Sequence, residues 1–289
     1  YGSSGRHSST SKCFVAVYII TLKNYLCKKK MNNSDRLILV CNDDGYSSSG
    51  IESLIEVVKP LGRVVVVAPE KSESGKSHSI TMTTPIRLNF IKAEEKLSIY
   101  SCSGTPVDSL KLALNQVLDR KPDLVVSGIN HGSNSSISVI YSGTMGAVIE
   151  ACLNGIPAVG FSLLDYATYP DFTASKHVAK IIIDNILKHG LLADVCLNVN
   201  IPKLPLNELK GIKLCRQAKG VWKEDFVKRV DPHQVPYYWM TGNFDNFEPD
   251  ATDTDEYALS NGFASVVPVK IDFTAYQAYN DLSKWNYEL

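Results

Sequence analysis

Leu37-Ile38-Leu39-Val40-Cys41-Asn42-Asp43-Asp44-Gly45 decides the reading of this chain: five consecutive apolar residues end in an amide, two carboxylates and a glycine. A strand solvated on one face alternates apolar and polar residues, whereas an unbroken apolar run marks a strand buried on both faces, as in a parallel sheet between helices. Downstream, Ile51, Leu54, Ile55, Val58 and Leu61 recur at helical spacing until Pro60-Leu61-Gly62 closes the segment. Val64 to Ala68 (VVVVA) then forms a second buried strand. Together these segments make a βαβ unit, which implies parallel pairing.

The alternation continues beyond a polar loop at 70–79. Thr105-Pro106-Val107-Asp108 predicts a helix start, with Thr105 as N-cap and Pro106 in the first helical position, and the helix is expected to run to about Leu118. Asp123 to Ser127 reads as a strand, Gly143 to Leu153 as a helix and Ala158 to Ser162 as a strand. Val178, Ile181, Ile182, Ile186 and Leu187 form a helical stripe that Gly190 can end, before a last strand at Cys196 to Ile201. The expected fold is a Rossmann-like three-layer α/β/α unit with a mostly parallel sheet and a core over about 35–202. From 221 to 257 Tyr, Trp, Pro, Asn and Asp become dense, so 203–289 is expected to form hairpins or an arm that joins copies of the chain.

At 289 residues the chain can bury one substantial core. Its 30 basic and 30 acidic side chains cancel, which argues against a broad nucleic-acid surface. The seven cysteines are scattered without a C-x-x-C pair and read as reduced thiols, in keeping with the cytoplasm. Residues 1–34 read as an extension outside the folded unit, disordered or artificial, since Tyr1-Gly2-Ser3-Ser4-Gly5 is an unnatural start and Met31 precedes the ordered pattern. The apolar run Cys13 to Leu22 is too short for a bilayer, which needs about 20 residues, and its basic flank follows it, unlike a secretory signal. No membrane partner is expected.

In open parallel sheets ligands gather outside the carboxyl ends of the strands, and the polar clusters of this chain follow its strands. Asp43 and Asp44 would point to opposite faces of a regular strand, so they can share one ion only where the chain turns, and Gly45 supplies the turn. Two hard carboxylates with hydroxyl and amide oxygens suit Mg²⁺ or Mn²⁺ better than zinc. Taken alone, Asp-Asp-Gly is simply a turn signal. The loop from Glu70 to Ser79 offers Ser74 as a metal ligand and Lys76 or Ser79 as phosphate contacts. Its Gly75-Lys76-Ser77 is no P-loop, because Glu70 stands where the first glycine belongs and no helix is expected after it. Ser142-Gly143-Thr144, at the start of a helix, is a candidate phosphate cradle. Of the six histidines only His78 and His131 fall in these loops, and His131, beside Asn130, is the better candidate for a supporting role.

These motifs occur together and in order: Asn42-Asp43-Asp44-Gly45, Ala68-Pro69-Glu70-Lys71-Ser72-Glu73-Ser74-Gly75, Ser103-Gly104-Thr105-Pro106-Val107-Asp108, Ser127-Gly128-Ile129-Asn130-His131-Gly132-Ser133-Asn134 and Tyr141-Ser142-Gly143-Thr144. With weaker pieces at Leu197–Pro202, Tyr237-Tyr238-Trp239 and Thr252–Asp255, the chain from about Arg36 onward resembles the SurE family of stationary-phase survival proteins. That resemblance implies a metal-dependent 5′-nucleotidase and broad acid phosphatase acting on nucleoside monophosphates and other small phosphomonoesters, with 3′-monophosphates left open. It implies one divalent ion per subunit, Mg²⁺ or Mn²⁺ with Ca²⁺ as a surrogate, on Asp43, Asp44, Ser74 and Asn130. By the same resemblance Asn42, Asn134, Ser142, Gly143 and Thr144 would line the phosphate pocket; Gly45 and Ser79 are expected to join them from the residues themselves, with His78 and His131 in a supporting position. It also implies a homodimer or homotetramer joined by exchanged C-terminal segments. His78 stands where many family members carry Asn, and the 133–138 loop is rich in serine, so substrate preference at the pocket mouth is open. The rival reading is a nucleotide-binding regulatory module on the same scaffold. A Rossmann dehydrogenase is disfavoured because no G-x-G-x-x-G follows the first strand.

Overall fold

The computed structural model describes residues 35–288; the expected N-terminal extension, with its apolar run at 13–22, lies outside them. From β1 (Leu37–Cys41) the chain passes through α1 (Ser49–Val58) and one 3₁₀ turn to β2 (Arg63–Pro69). Then come β3 (Leu88–Glu94), β4 (Leu97–Cys102), α2 (Pro106–Leu112), β5 (Leu124–His131), α3 (Gly143–Leu153), β6 (Ala158–Leu163), α4 (Thr173–His189) and β7 (Val195–Ile201). The C-terminal part adds β8 (Ile212–Leu214), a hairpin of β9 (Gly220–Val230) and β10 (Pro236–Asn246), α5 (Asp255–Ser260), β11 (Ala264–Lys270) and α6 (Tyr276–Leu282). Among the described residues no helix is long and apolar enough to cross a membrane.

Nine strands form one sheet in the order β3-β4-β2-β1-β5-β6-β7-β11-β8, and β4 through β7 in that order are mutually parallel. β1 is buried along its whole length because its alternate residues serve two cores. Ile38 and Val40 pack with Ile51 and Leu54 of α1 and Val178 and Ile182 of α4. Leu37 and Leu39 pack with Leu110 of α2 and Met145 and Val148 of α3. The sheet thus carries helices on both faces, the three-layer α/β/α arrangement expected. The chain builds outward from β1 through β2 to β4, then crosses back to β5 on the other side, so the strand order reverses between β1 and β5. That is the switch point where open sheets leave a crevice.

Several boundaries differ from the sequence reading. Strand β5 continues past Ser127 to His131, with a bulge that sets Gly128 and Ile129 of β5 against Phe161 of β6. Helix α2 stops at Leu112, and 113–117 is one wider π turn, although Thr105 caps it as expected through a reciprocal capping box with Asp108. The β3–β4 hairpin was not anticipated; β3 is an exposed edge strand whose mixed side chains carry no period. The sheet also does not end near 202, because β11 returns to pair antiparallel with β7 and carries β8 on its outer side. Its segment Ala264–Val267 is buried, but it sits inside a tail whose composition reads as irregular.

Candidate active site

The turn after β1 is built by Asn42. Its carboxamide accepts from the Gly45 amide at 3.2 Å and donates to the Gly45 carbonyl at 2.9 Å and to Ser48 Oγ at 2.8 Å. Gly45 takes φ +106°, a conformation L side chains rarely adopt. The turn leaves Asp43 aimed into the crevice and Asp44 beside it, where Asp44 accepts the backbone N–H of His131 at 3.3 Å. Three other segments converge on the same place. The Glu73 amide bonds the Asp43 carbonyl at 2.7 Å and so fixes the Ser74 loop. The β5 bulge re-aims Asn130, whose side-chain nitrogen donates to the Gly132 carbonyl at 2.9 Å and leaves its oxygen as the group offered to a ligand. The start of α3 abuts Asp43: a Cβ at Gly143 would lie 2.8 Å from the Asp43 Cβ, and Thr144 donates its hydroxyl to Asp43 Oδ1 at 2.5 Å.

A cavity of about 530 Å³ opens here, lined by Asp43, Ser74, Asn130, His131, Asn134 and Ser142 among the residues singled out from sequence. Asp43 is 3 % exposed. Burial, then the adjacent Asp44 charge, pushes its carboxyl up to about 6 against the pull of the Thr144 hydrogen bonds. Burial raises Asp44 as well. Neither carboxylate joins any ion pair among the described residues. Two adjoining, desolvated, uncompensated carboxylates are what a cation would satisfy. Among the described residues no group of three or more His, Cys, Asp and Glu is placed to hold a metal, so an ion here would draw on Ser74 and Asn130 oxygens besides the two aspartates. That all-oxygen set suits Mg²⁺ or Mn²⁺ better than zinc.

Other predicted residues are placed differently. His78 does not back the pocket; its Nε2 lies 2.9 Å from Glu150 Oε2, with Lys111 Nζ 2.6 Å from the other oxygen. Glu150 is 6 % exposed, and holding that buried carboxylate takes the imidazole away from the cavity. Ser79 is exposed and outside the lining; its carbonyl accepts from Thr105 Oγ1 at 2.8 Å. Lys76 reaches Glu73 at 4.0 Å instead. The Asn42 side chain and Gly45 shape the turn without lining the cavity, and the Thr144 hydroxyl is committed to Asp43. His131 packs edge-on against Phe172, and its Nε2 is buried without a hydrogen-bond partner among the described residues. Burial lowers its pKa, opposed by Asp165.

The structure adds residues the sequence reading did not single out. Asn200 accepts the Asn134 amide at 2.8 Å, Ser162 accepts its side-chain nitrogen at 2.8 Å, and Asn198 donates to its carbonyl at 2.8 Å. This buried amide network fixes Asn134 from behind. Its signal lay in Asn198-Val199-Asn200, two amides pointing one way in an apolar strand. Asp255, 1 % exposed, accepts from the amides of Ser136 and Ala218 and so joins the pocket loop to the foot of the hairpin. Trp222, Glu224, Met240, Thr241 and Gly242 of that hairpin complete the cavity; nothing local in the sequence links them to residues 80 or more positions earlier.

The family model described as Survival protein SurE matches residues 38–224, which include Asp43, Ser74, Asn130 and Ser142 but not β10. The chain belongs to the SurE family. Its relatives include a protein named 5′-nucleotidase SurE from Christiangramia forsetii, 54 % identical over 258 residues that cover 89 % of this chain and 99 % of the relative. A protein of the same name from Flavobacterium psychrophilum is 55 % identical over 254 residues, 88 % of this chain and 98 % of that one. The crystal structure of the SurE protein from Aquifex aeolicus matches with a TM-score of 0.74 and 39 % identity, over 86 % of this chain and 98 % of that chain.

Proposed function

We propose that this chain is a divalent-metal-dependent phosphomonoesterase that converts nucleoside 5′-monophosphates to nucleoside and phosphate. The observation that carries this reading is the meeting of the buried Asp43 and the half-buried Asp44 beside it, neither paired with a cation, with Ser74 and Asn130 at the switch point of the sheet. The names of the relatives support the substrate class. A divalent ion, Mg²⁺ or Mn²⁺, held by Asp43, Asp44, Ser74 and Asn130 would polarise the phosphoryl oxygens and lower the pKa of water. The protein's own part is to bind and orient. Asn134, locked by its amide network, and Ser142, the N-cap of α3, present donors to the phosphoryl oxygens, and the helix N-terminus favours the charge that accumulates there. Thr144 keeps Asp43 in one rotamer, and either aspartate can accept a proton from the attacking water. 3′-Monophosphates and other small phosphomonoesters are further substrates of the same site.

The exposed aromatic residues of the hairpin and of 273–287 support assembly into a dimer or tetramer through the C-terminal region. The five described cysteines, all buried and unbridged, fit a cytoplasmic enzyme. Phosphate release from a panel of nucleoside monophosphates, measured with Mg²⁺, with Mn²⁺ and with EDTA, tests the proposal. Turnover that needs the metal is expected. Tight nucleotide binding without turnover under any metal would favour the regulatory-module reading instead.

A further inference from the structure

Phosphoryl chemistry occupies only the Asp43 end of the cavity, and the hairpin supplies the rest of its lining. In the antiparallel register Trp222 lies opposite Phe244, Glu224 opposite Gly242 and Phe226 opposite Met240, so these residues share one face of the ribbon. On that face the Trp222 indole is held by two contacts. Its Nε1 donates to Ser138 Oγ at 3.1 Å, and the Phe244 ring meets it edge-on with centroids 6.0 Å apart. Ser138 belongs to the loop that also carries Asn134, and both line the cavity, so one loop sets the distance from the phosphate end to the indole. A volume of about 530 Å³ exceeds what a phosphoryl group needs and lies in the range of pockets that enclose a whole small ligand.

We infer that Trp222 is the nucleobase platform of this site: the base stacks on the indole, and Met240 contributes a polarisable neighbour from the other strand. The assignment rests on the phosphomonoesterase reading for the position of the phosphate, but not for its test. Stacking uses the π-face common to all bases, so Trp222 distinguishes nucleotides from phosphate esters that lack a base and favours purines through their larger stacked area. Ser138 is a positioning residue that aims the ring.

The test is binding without turnover. With EDTA present, so that ribose 5-phosphate is not hydrolysed, adenosine and ribose 5-phosphate are titrated calorimetrically into the unaltered protein, Trp222→Ala and Trp222→Phe. Trp222→Ala is expected to weaken adenosine binding about tenfold or more, while Trp222→Phe retains most of it. Ribose 5-phosphate is expected to bind all three proteins within about twofold, because it makes no stack. Equal losses for both probes would show that Trp222 only props the cavity, and would overturn the inference. So would adenosine binding that is absent from the unaltered protein or unchanged in Trp222→Ala. A protein that passes these tests yet releases no phosphate from a nucleotide would contradict the phosphatase reading and uphold the platform.

Discussion

Asp43 ionises against burial and against Asp44, and its folded-state pKa of about 6 lies above the ordinary 3.8. A raised carboxyl pKa costs stability wherever the folded group is forced to ionise. The cost is absent below about pH 4, where both states hold the proton, and full above about pH 6. In EDTA, Asp43→Asn is therefore expected to be more stable than the unaltered protein at pH 7.5, by up to about 3 kcal/mol. The difference should vanish near pH 4, as urea denaturation at the two pH values will show; an Asn variant less stable at pH 7.5 would contradict it. Gly143 makes the complementary case. Its missing side chain leaves room for Asp43, and a Cβ would come 2.9 Å from Oδ2 while Thr144 prevents retreat. Gly143→Ala should keep its circular dichroism and lose turnover by about 100-fold, the scale of an ångström's misplacement at a reacting centre.

Elements carry these residues into register, and here sequence and structure can be compared piece by piece. The β1 run and the stretch at 143–153 were legible because a buried strand and a capped helix each have a local signature, and both lie where expected. Asp43, Ser74 and Asn130 were legible as polar residues that follow strands, Ser142 as a helix start and Asn134 only through the family resemblance, and all five line one cavity. The role of His78 was not legible, because its partner Glu150 lies 72 positions away on α3. That clasp holds the 70–79 loop to α3. Burial raises the Glu150 pKa, but the bonds from Lys111 and His78 outweigh it, and the net shift is downward. A depressed carboxyl pKa contributes stability that is present above the ordinary glutamate range and lost as pH falls through the folded value. Glu150→Gln should cost about 1.5–3 kcal/mol at neutral pH, with the cost shrinking in acid; denaturation at both pH values checks the sign.

At the scale of the whole molecule, the sheet brings residues from four separate segments to one crevice and leaves the C-terminal arm with a poorly covered aromatic surface. Phe273, Tyr276, Tyr279 and Trp285 are all 60 % exposed or more. Such a surface on a neutral chain favours association. Light scattering should give the mass of a dimer or tetramer, and Phe273→Ser with Trp285→Ser should lower it; a monomer in both cases would contradict the assembly. The reversal of strand order between β1 and β5 is what joins fold to chemistry, since it puts the aspartates after β1 beside Asn130 at the end of β5. Asp43 is the residue whose loss bears most directly on the chemistry. With Mn²⁺ or Mg²⁺ present, phosphate release from a nucleoside 5′-monophosphate is expected from the unaltered protein and not from a folded Asp43→Asn variant. Undiminished release by that variant would contradict it.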